Sequence, residues 1–165
     1  MNGKTCCVTG HRDFPVQQTE YVKVSLRREI EKAIADGYTR FMCGFAEGVD
    51  QYFAEIVMEK KQDDPALQLV AVIPYRKRLE NLKKRERPKL LIEGCVEVKV
   101  IREEYLPSVY SHRNRYMVEN SDRVIAVYDG REKGGTVSTI RFTHKMKKEL
   151  REIPVGPQIR LPKLN

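Results

Sequence analysis

Five short apolar runs, each followed by a longer stretch with helical periodicity, constrain this chain more than any single motif. KTCCVT (Lys4 to Thr9) is continuous enough to be a strand buried on both faces. Val22, Leu26, Ile30, Ala33 and Ile34 then recur at helical spacing, with Gly37 as the stop. TRFMC (Thr39 to Cys43) reads as a second strand, and Val49, Phe53, Ile56 and Val57 mark the helix behind it. LQLVAVIPY (Leu67 to Tyr75) is the third strand; the basic segment after it should be helical in two pieces, because Pro88 breaks or restarts a helix. CVEVKVI (Cys95 to Ile101) alternates like a strand with one wet face. PSVYSHRNRYMVENS, from Pro107, is helical, RVIAVYD (Arg123 to Asp129) is a buried strand, and TVSTIRFTHKMKKEL (Thr136 to Leu150) is a last long helix. REIPVG adds an edge strand, where Pro154 is tolerated, and PQIRLPKLN reads as a loosely packed C-terminal arm. Repeated strand-helix alternation implies an α/β fold: a mainly parallel central sheet with helices on both faces, in three layers.

A length of 165 residues suits one domain spanning 1–165, and no linker or repeat divides it. The four cysteines, Cys6, Cys7, Cys43 and Cys95, form no C-x-x-C pair, and no His and carboxylate spacing points to a metal, so neither a metal nor a resident cofactor is expected. The start, MNGKTCCVTGH, lacks the pattern of a cleavable signal, and no apolar run approaches the ~18 residues of a membrane span. The expectation is a cytoplasmic protein without a membrane partner. The net charge of +8 permits a phosphate-bearing partner, nucleic acid included. The densest basic stretch, Arg76 to Lys89, reads as a solvated helical face.

In a parallel sheet, ligands collect beyond the carboxyl ends of the strands. The loops leaving those ends supply the candidate binding residues. They are Thr9, Gly10, His11 and Arg12 from TGHR; Gly44, Phe45, Gly48 and Asp50 from GFAEGVD; and Asp129, Gly134, Gly135 and Thr136 from DGREKGGT. Gly134 to Thr136 stand where a helix begins, so unpaired N–H groups and the helix dipole can hold an anion there. Arg113 lies four residues after Val109 and four before Met117, on an apolar face. An Arg so placed either snorkels to water or meets an anion, and Asn114 beside it adds donors. Phe45, Tyr75 and Tyr128 are candidate platforms for a base. There is no G-x-G-x-x-G and no P-loop lysine, which disfavours an ordinary dinucleotide dehydrogenase or a Walker-type ATPase.

TGHR, GFAEGVDQYFAEIV and HRNRYMVENSDRVIAVYDG with GGT, in this order, resemble the SLOG superfamily of Rossmann-like proteins. The likeness is to its YpsA-like branch, and it extends to the Lonely-Guy enzymes and the Smf-type DNA-processing proteins. It spans Thr9 to about Ile140. The resemblance implies a Rossmann-like domain. It also implies a catalytic role for Arg113, which matches the Arg of the Lonely-Guy helix motif, and phosphate binding by the loop ending in Thr136. The Lonely-Guy catalytic Glu, two residues beyond that Thr, is replaced by Ser138, which has no carboxylate to assist an oxocarbenium-like transition state. Glu47 and Asp50 are the carboxylates left to compensate. The implied function is binding of a nucleotide-derived ligand (ADP-ribose, an NAD-related molecule or a nucleoside monophosphate) by a sensor or regulator that forms a homodimer. The alternatives are a phosphoribohydrolase of Lonely-Guy type and a single-stranded nucleic acid binder.

Overall fold

A computed structural model describes residues 3–161. The elements are β1 (Lys4–Gly10), a 3-10 turn (Val16–Gln18), α1 (Thr19–Ala35), β2 (Tyr38–Cys43), α2 (Val49–Asp63), β3 (Gln68–Tyr75), α3 (Arg76–Leu82), α4 (Glu86–Glu93), β4 (Glu97–Arg102), α5 (Val109–Glu119), β5 (Arg123–Tyr128), α6 (Gly135–Lys145) and β6 (Glu149–Pro154). The six strands form one sheet in the order β4-β3-β2-β1-β5-β6. Every neighbouring pair is parallel, so the Rossmann-like α/β reading holds and the sheet is wholly parallel.

Alternation along the strands divides the core in two. Cys6, Val8, Phe41, Cys43, Leu69 and Ile73 face α1 to α4, meeting Leu26, Phe53, Leu79 and Leu91. Cys7, Met42, Val70, Val72 and Val124 face the other way, onto Met117 and Val118 of α5 and Phe142 of α6. The basic stretch is helical in two pieces, with Pro88 in the first turn of α4, where its missing N–H has no helical partner to lose.

The last helix is shorter than its periodicity suggests. It stops at Lys145 rather than Leu150, because Lys147 adopts a left-handed φ of 57° and turns the chain back. Glu149 and Leu150 then pair with Arg123 and Val124 to begin β6. β6 is an edge strand, as Pro154 requires. Of the C-terminal arm, residues 157–161 lie past Gly156, which is tied at both its amide and its carbonyl to the buried side chain of Gln18. The rest of the arm lies outside the described residues.

The N-terminal end of β5 is locked by Arg123, a buried guanidinium at the edge of both α1 and β6. Its Nε donates to Glu149 Oε2 and its Nη2 to Asp36 Oδ2, both at 2.8 Å, while its Cζ stands 4.5 Å from the Tyr38 ring centroid. Replacing Arg123 with Ala removes two charge-assisted bonds but leaves both carboxylates wet. Urea denaturation should show a loss of about 1.5–3 kcal/mol with the slope unchanged.

Candidate functional site

β1 and β5 lie side by side, and their chains leave toward opposite faces, β1 toward α1 and β5 toward α6. This divergence is where an open parallel sheet leaves a crevice. The loops after β1, β2 and β5, with α5 and the start of α6, enclose a cleft of about 540 Å³. Its lining brings together Thr9, Gly10, His11, Arg12, Asp50, Arg113, Asn114, Gly134, Gly135 and Thr136 from the sequence-predicted set.

One side of the cleft is the N-terminus of α6. Gly134 has φ +121°, a backbone state that residues with a Cβ rarely adopt, and it delivers the chain into the helix. No side chain caps this end and its first turn holds no acidic residue, so the positive end of the dipole is uncompensated by the protein. The hydroxyl string that follows is mostly structural. Thr139 donates to the Gly135 carbonyl at 2.9 Å and Thr143 to the Thr139 carbonyl at 2.7 Å.

Arg113 does not snorkel; it is buried, only 8% exposed, with its guanidinium against the β2–α2 loop. Its Nε donates to Asn114 Oδ1 at 2.8 Å and its Nη1 to the Gly44 carbonyl at 2.9 Å. Gly44 is a glycine for this reason, since a Cβ there would stand 2.3 Å from Nη1. Nη2 has no acceptor among the described residues, and the side chain lines the cleft. Burial pulls the pKa of Arg113 below its ordinary value, and the nearby Asp50 opposes that fall. Asp50, also buried, accepts the Ala46 amide at 3.1 Å on Oδ2. Burial pushes its carboxyl pKa up; Arg113 and the Ala46 and Gly44 amides pull it back.

His11 is buried with its ring against Tyr128, centroids 5.6 Å apart. Its Nε2 comes within 3.0 Å of Asp129 Oδ1, off the alignment of a well-formed hydrogen bond. Desolvation outweighs Asp129 and lowers the imidazole pKa. Asp129 itself is gripped by Arg131, through Nε at 3.0 and 3.1 Å and Nη2 at 2.6 Å. Those bonds hold its carboxyl down at about 2. Arg131 also reaches Asp13 at 3.0 Å, tying the loop after β1 to the loop after β5.

Several expected residues lie elsewhere. Glu47 is exposed and paired with Arg85 at 2.6 Å, outside the cleft lining. Phe45 is fully buried in the core and is no platform for a base; Gly44 and Gly48 shape the loop behind Arg113. Tyr75 packs edge-on against Tyr105 and Tyr110, and Tyr128 turns its hydroxyl to the Arg131 carbonyl, so neither lines the cleft. The aromatic side chain that does is Tyr110, with the Arg113 guanidinium 5.5 Å from its ring centroid. Tyr110 and Arg131 were not singled out from the sequence. Tyr110 is three positions before Arg113, one helical turn, and Arg131 follows Asp129 by two, the spacing of an Asp that folds back on its own turn. Among the described residues no three His, Cys, Asp or Glu side chains are grouped to hold a metal, and no helix is long and apolar enough to cross a membrane.

The model of the YpsA family, described as the YspA SLOG family, matches residues 6–155. The chain belongs to this family. Its curated relatives include a UPF0398 protein of Bacillus pumilus strain SAFR-032, 28% identical over 144 residues, covering 79% of this chain and 76% of the relative. A UPF0398 protein of Bacillus cereus strain B4264 is also 28% identical, over 158 residues, covering 89% and 85%. Among solved structures, the fold is similar to that of DNA processing protein A from Helicobacter pylori, with a TM-score of 0.64 and 21% identity. That alignment takes in 96% of this chain but 66% of the Helicobacter chain, and at this identity it speaks for the fold alone. The family match encloses every cleft-lining residue, from Val8 to Thr136.

The Asp129–Arg131 grip has a signature in acid. A carboxyl whose folded pKa is depressed contributes stability that is present above its unfolded value, near 3.8, and is lost as pH falls through about 2. Asp129→Asn should therefore be less stable than the parent at neutral pH, with the gap closing between about pH 4 and pH 2. Urea midpoints measured across that range check it; a constant gap means the grip contributes nothing.

Proposed function

We propose that the cleft binds the phosphate of a nucleotide-derived ligand, with the phosphate at the N-terminus of α6 and against Arg113. One observation carries this reading: a buried guanidinium with a spare edge opens onto the same cleft as an uncapped helix N-terminus. Taking a guanidinium out of water costs several kcal/mol; its two bonds go to neutral carbonyl groups and Asp50 acts on it without a hydrogen bond, so no hydrogen-bonded counter-charge is present among the described residues. A phosphate between Nη2, Asn114 and the first amides of α6 would supply it. Asn114 borders this position: its Nδ2 is 3.6 Å from where a Cβ on Gly135 would stand, so a side chain there would fit and occupy the space beside it. Arg12, also in the lining, adds a further positive charge.

This is a binding function first. Ser138 stands where a Lonely-Guy enzyme has its carboxylate, and Glu47 is turned away to Arg85. Incubation with AMP should therefore release free base slowly or not at all; turnover on the order of 1 s⁻¹, ordinary for an enzyme, overturns the binding-protein reading. The fold likeness to a protein described by its single-stranded DNA binding mode favours nucleic acid as the second reading. Against it, Arg76, Arg85 and Arg87 of the basic stretch are engaged by Glu103, Glu47 and Glu55, away from the cleft.

The test is calorimetry with AMP and ADP-ribose. Gly135→Val should weaken whichever binds by tenfold or more, about 1.4 kcal/mol, by filling the space beside Asn114. Arg113→Ala should cost about 1.5–3 kcal/mol, the range for a hydrogen bond to a charged group. Unchanged affinity in both folded variants removes the cleft from consideration. Loss of single-stranded DNA binding on neutralising Arg76 to Lys89, with nucleotide binding absent in the parent, puts the second reading first.

A further inference from the structure

Asp50 is the one buried carboxylate in a cleft whose other polar groups are mainly donors. It stands in the first turn of α2, where it accepts the Ala46 amide at 3.1 Å on Oδ2 and is also drawn on by the Gly44 amide. No side-chain donor among the described residues reaches its remaining lone pairs, and Arg113 and Arg12 act on it only as charges at a distance. An ionised carboxylate can accept about four hydrogen bonds, so backbone amides alone leave Asp50 acceptor capacity toward the cleft it lines.

The donor must be neutral. A second phosphate would be repelled, and an ammonium would have to enter between Arg12 and Arg113. Hydroxyl groups meet the requirement. Their position follows from connectivity: the α6 N-terminus adjoins Asn114, Asn114 is bonded to Arg113, Arg113 to Gly44, and Asp50 caps the same loop two residues on, at Ala46. The acceptor therefore lines the same cleft as the phosphate position, with Arg113 linking the two. In a 5′-phosphorylated nucleoside the sugar hydroxyls are neutral donors a few bonds from the phosphate, as this arrangement asks.

We infer that Asp50 accepts hydrogen bonds from the hydroxyls of a phosphorylated sugar, so that the cleft reads a sugar phosphate, the ribose-phosphate part of the ligand. This rests on the phosphate site proposed above and adds a second point of recognition to it. Donation from two hydroxyls would also stabilise the ionised form of Asp50, which burial alone disfavours.

The experiment compares ribose 5-phosphate with methyl phosphate, which has the anion and no hydroxyls, by NMR titration of the folded protein at neutral pH. The parent should bind ribose 5-phosphate at least tenfold more tightly. Asp50→Asn keeps an oxygen for the Ala46 amide and removes the charge. It should weaken ribose 5-phosphate by about tenfold, in line with a charge-assisted bond becoming a neutral one, and leave methyl phosphate unchanged or slightly tighter, because repulsion is relieved. Opposite movement of the two probes is the expected mark of direct contact. An equal change for both probes, or no change for ribose 5-phosphate, overturns the role of Asp50 while leaving the phosphate site standing. Equal affinity of the parent for the two probes also overturns it. If neither probe perturbs the amides of Gly135 and Thr136 in the parent, the phosphate site itself is wrong, and this inference falls with it.

Discussion

Because all six strands run the same way, every strand hands its chain to the next segment at one end of the sheet. That constraint gathers the loops after β1, β2 and β5, which are far apart in sequence, around a single crevice. The price of parallel pairing is that the central strands must be covered on both faces, which the continuous apolar runs around Val8, Val70 and Ile125 allow. The interior of the sheet is thus committed to packing. Chemistry is left to the loop ends, and the β1–β5 divergence decides where they meet.

Within that crevice the Arg113–Gly44 contact couples otherwise separate elements. The guanidinium occupies the space that a side chain on residue 44 would fill, which docks α5 against the loop leading into α2. Its two bonds go to neutral oxygens and Asp50 acts on it only as a nearby charge, so the arrangement leaves the guanidinium without a hydrogen-bonded counter-charge. Breaking even would be simpler with an apolar side chain, since a buried charge is weak evidence for stability. That cost is the physical ground on which the proposed phosphate site rests. Arg131 differs in this respect: Asp129 and Asp13 already engage it, so its role is to hold two loops of the cleft together.

Much of this was legible from residues, and the misses have physical causes. Strand–helix alternation is a property of periodicity, so the parallel sheet, the edge position of Pro154 and the split at Pro88 could be read directly. The end of α6 could not, because the run to Leu150 stays compatible with a helix; a turn at Lys147 and the pairing of Glu149 with Arg123 decide otherwise. Loop membership brought most of the cleft residues into view, yet it does not say which way a side chain points. Phe45 and Glu47 sit in the right loop, but one is drawn into the core and the other out to Arg85. Tyr110 was hidden for the converse reason: on a helix, the turn preceding Arg113 faces the same cleft, and a tyrosine there reads as packing.

Fold likeness and site chemistry carry different weight here. A Rossmann-like sheet shared with a DNA processing protein restricts where a ligand sits, and it leaves open what the ligand is, since one fold hosts many functions. The discriminating feature is the asymmetry of the cleft. Donors and positive charge cluster at α6 and Arg113, while the acceptor, Asp50, is set back in the α2 loop. A polyphosphate strand fits the first group and is repelled by the second. The sugar phosphate proposed above, with an anion at one end and hydroxyls a few bonds away, would satisfy both and leave Tyr110 at the wall for whatever the sugar carries.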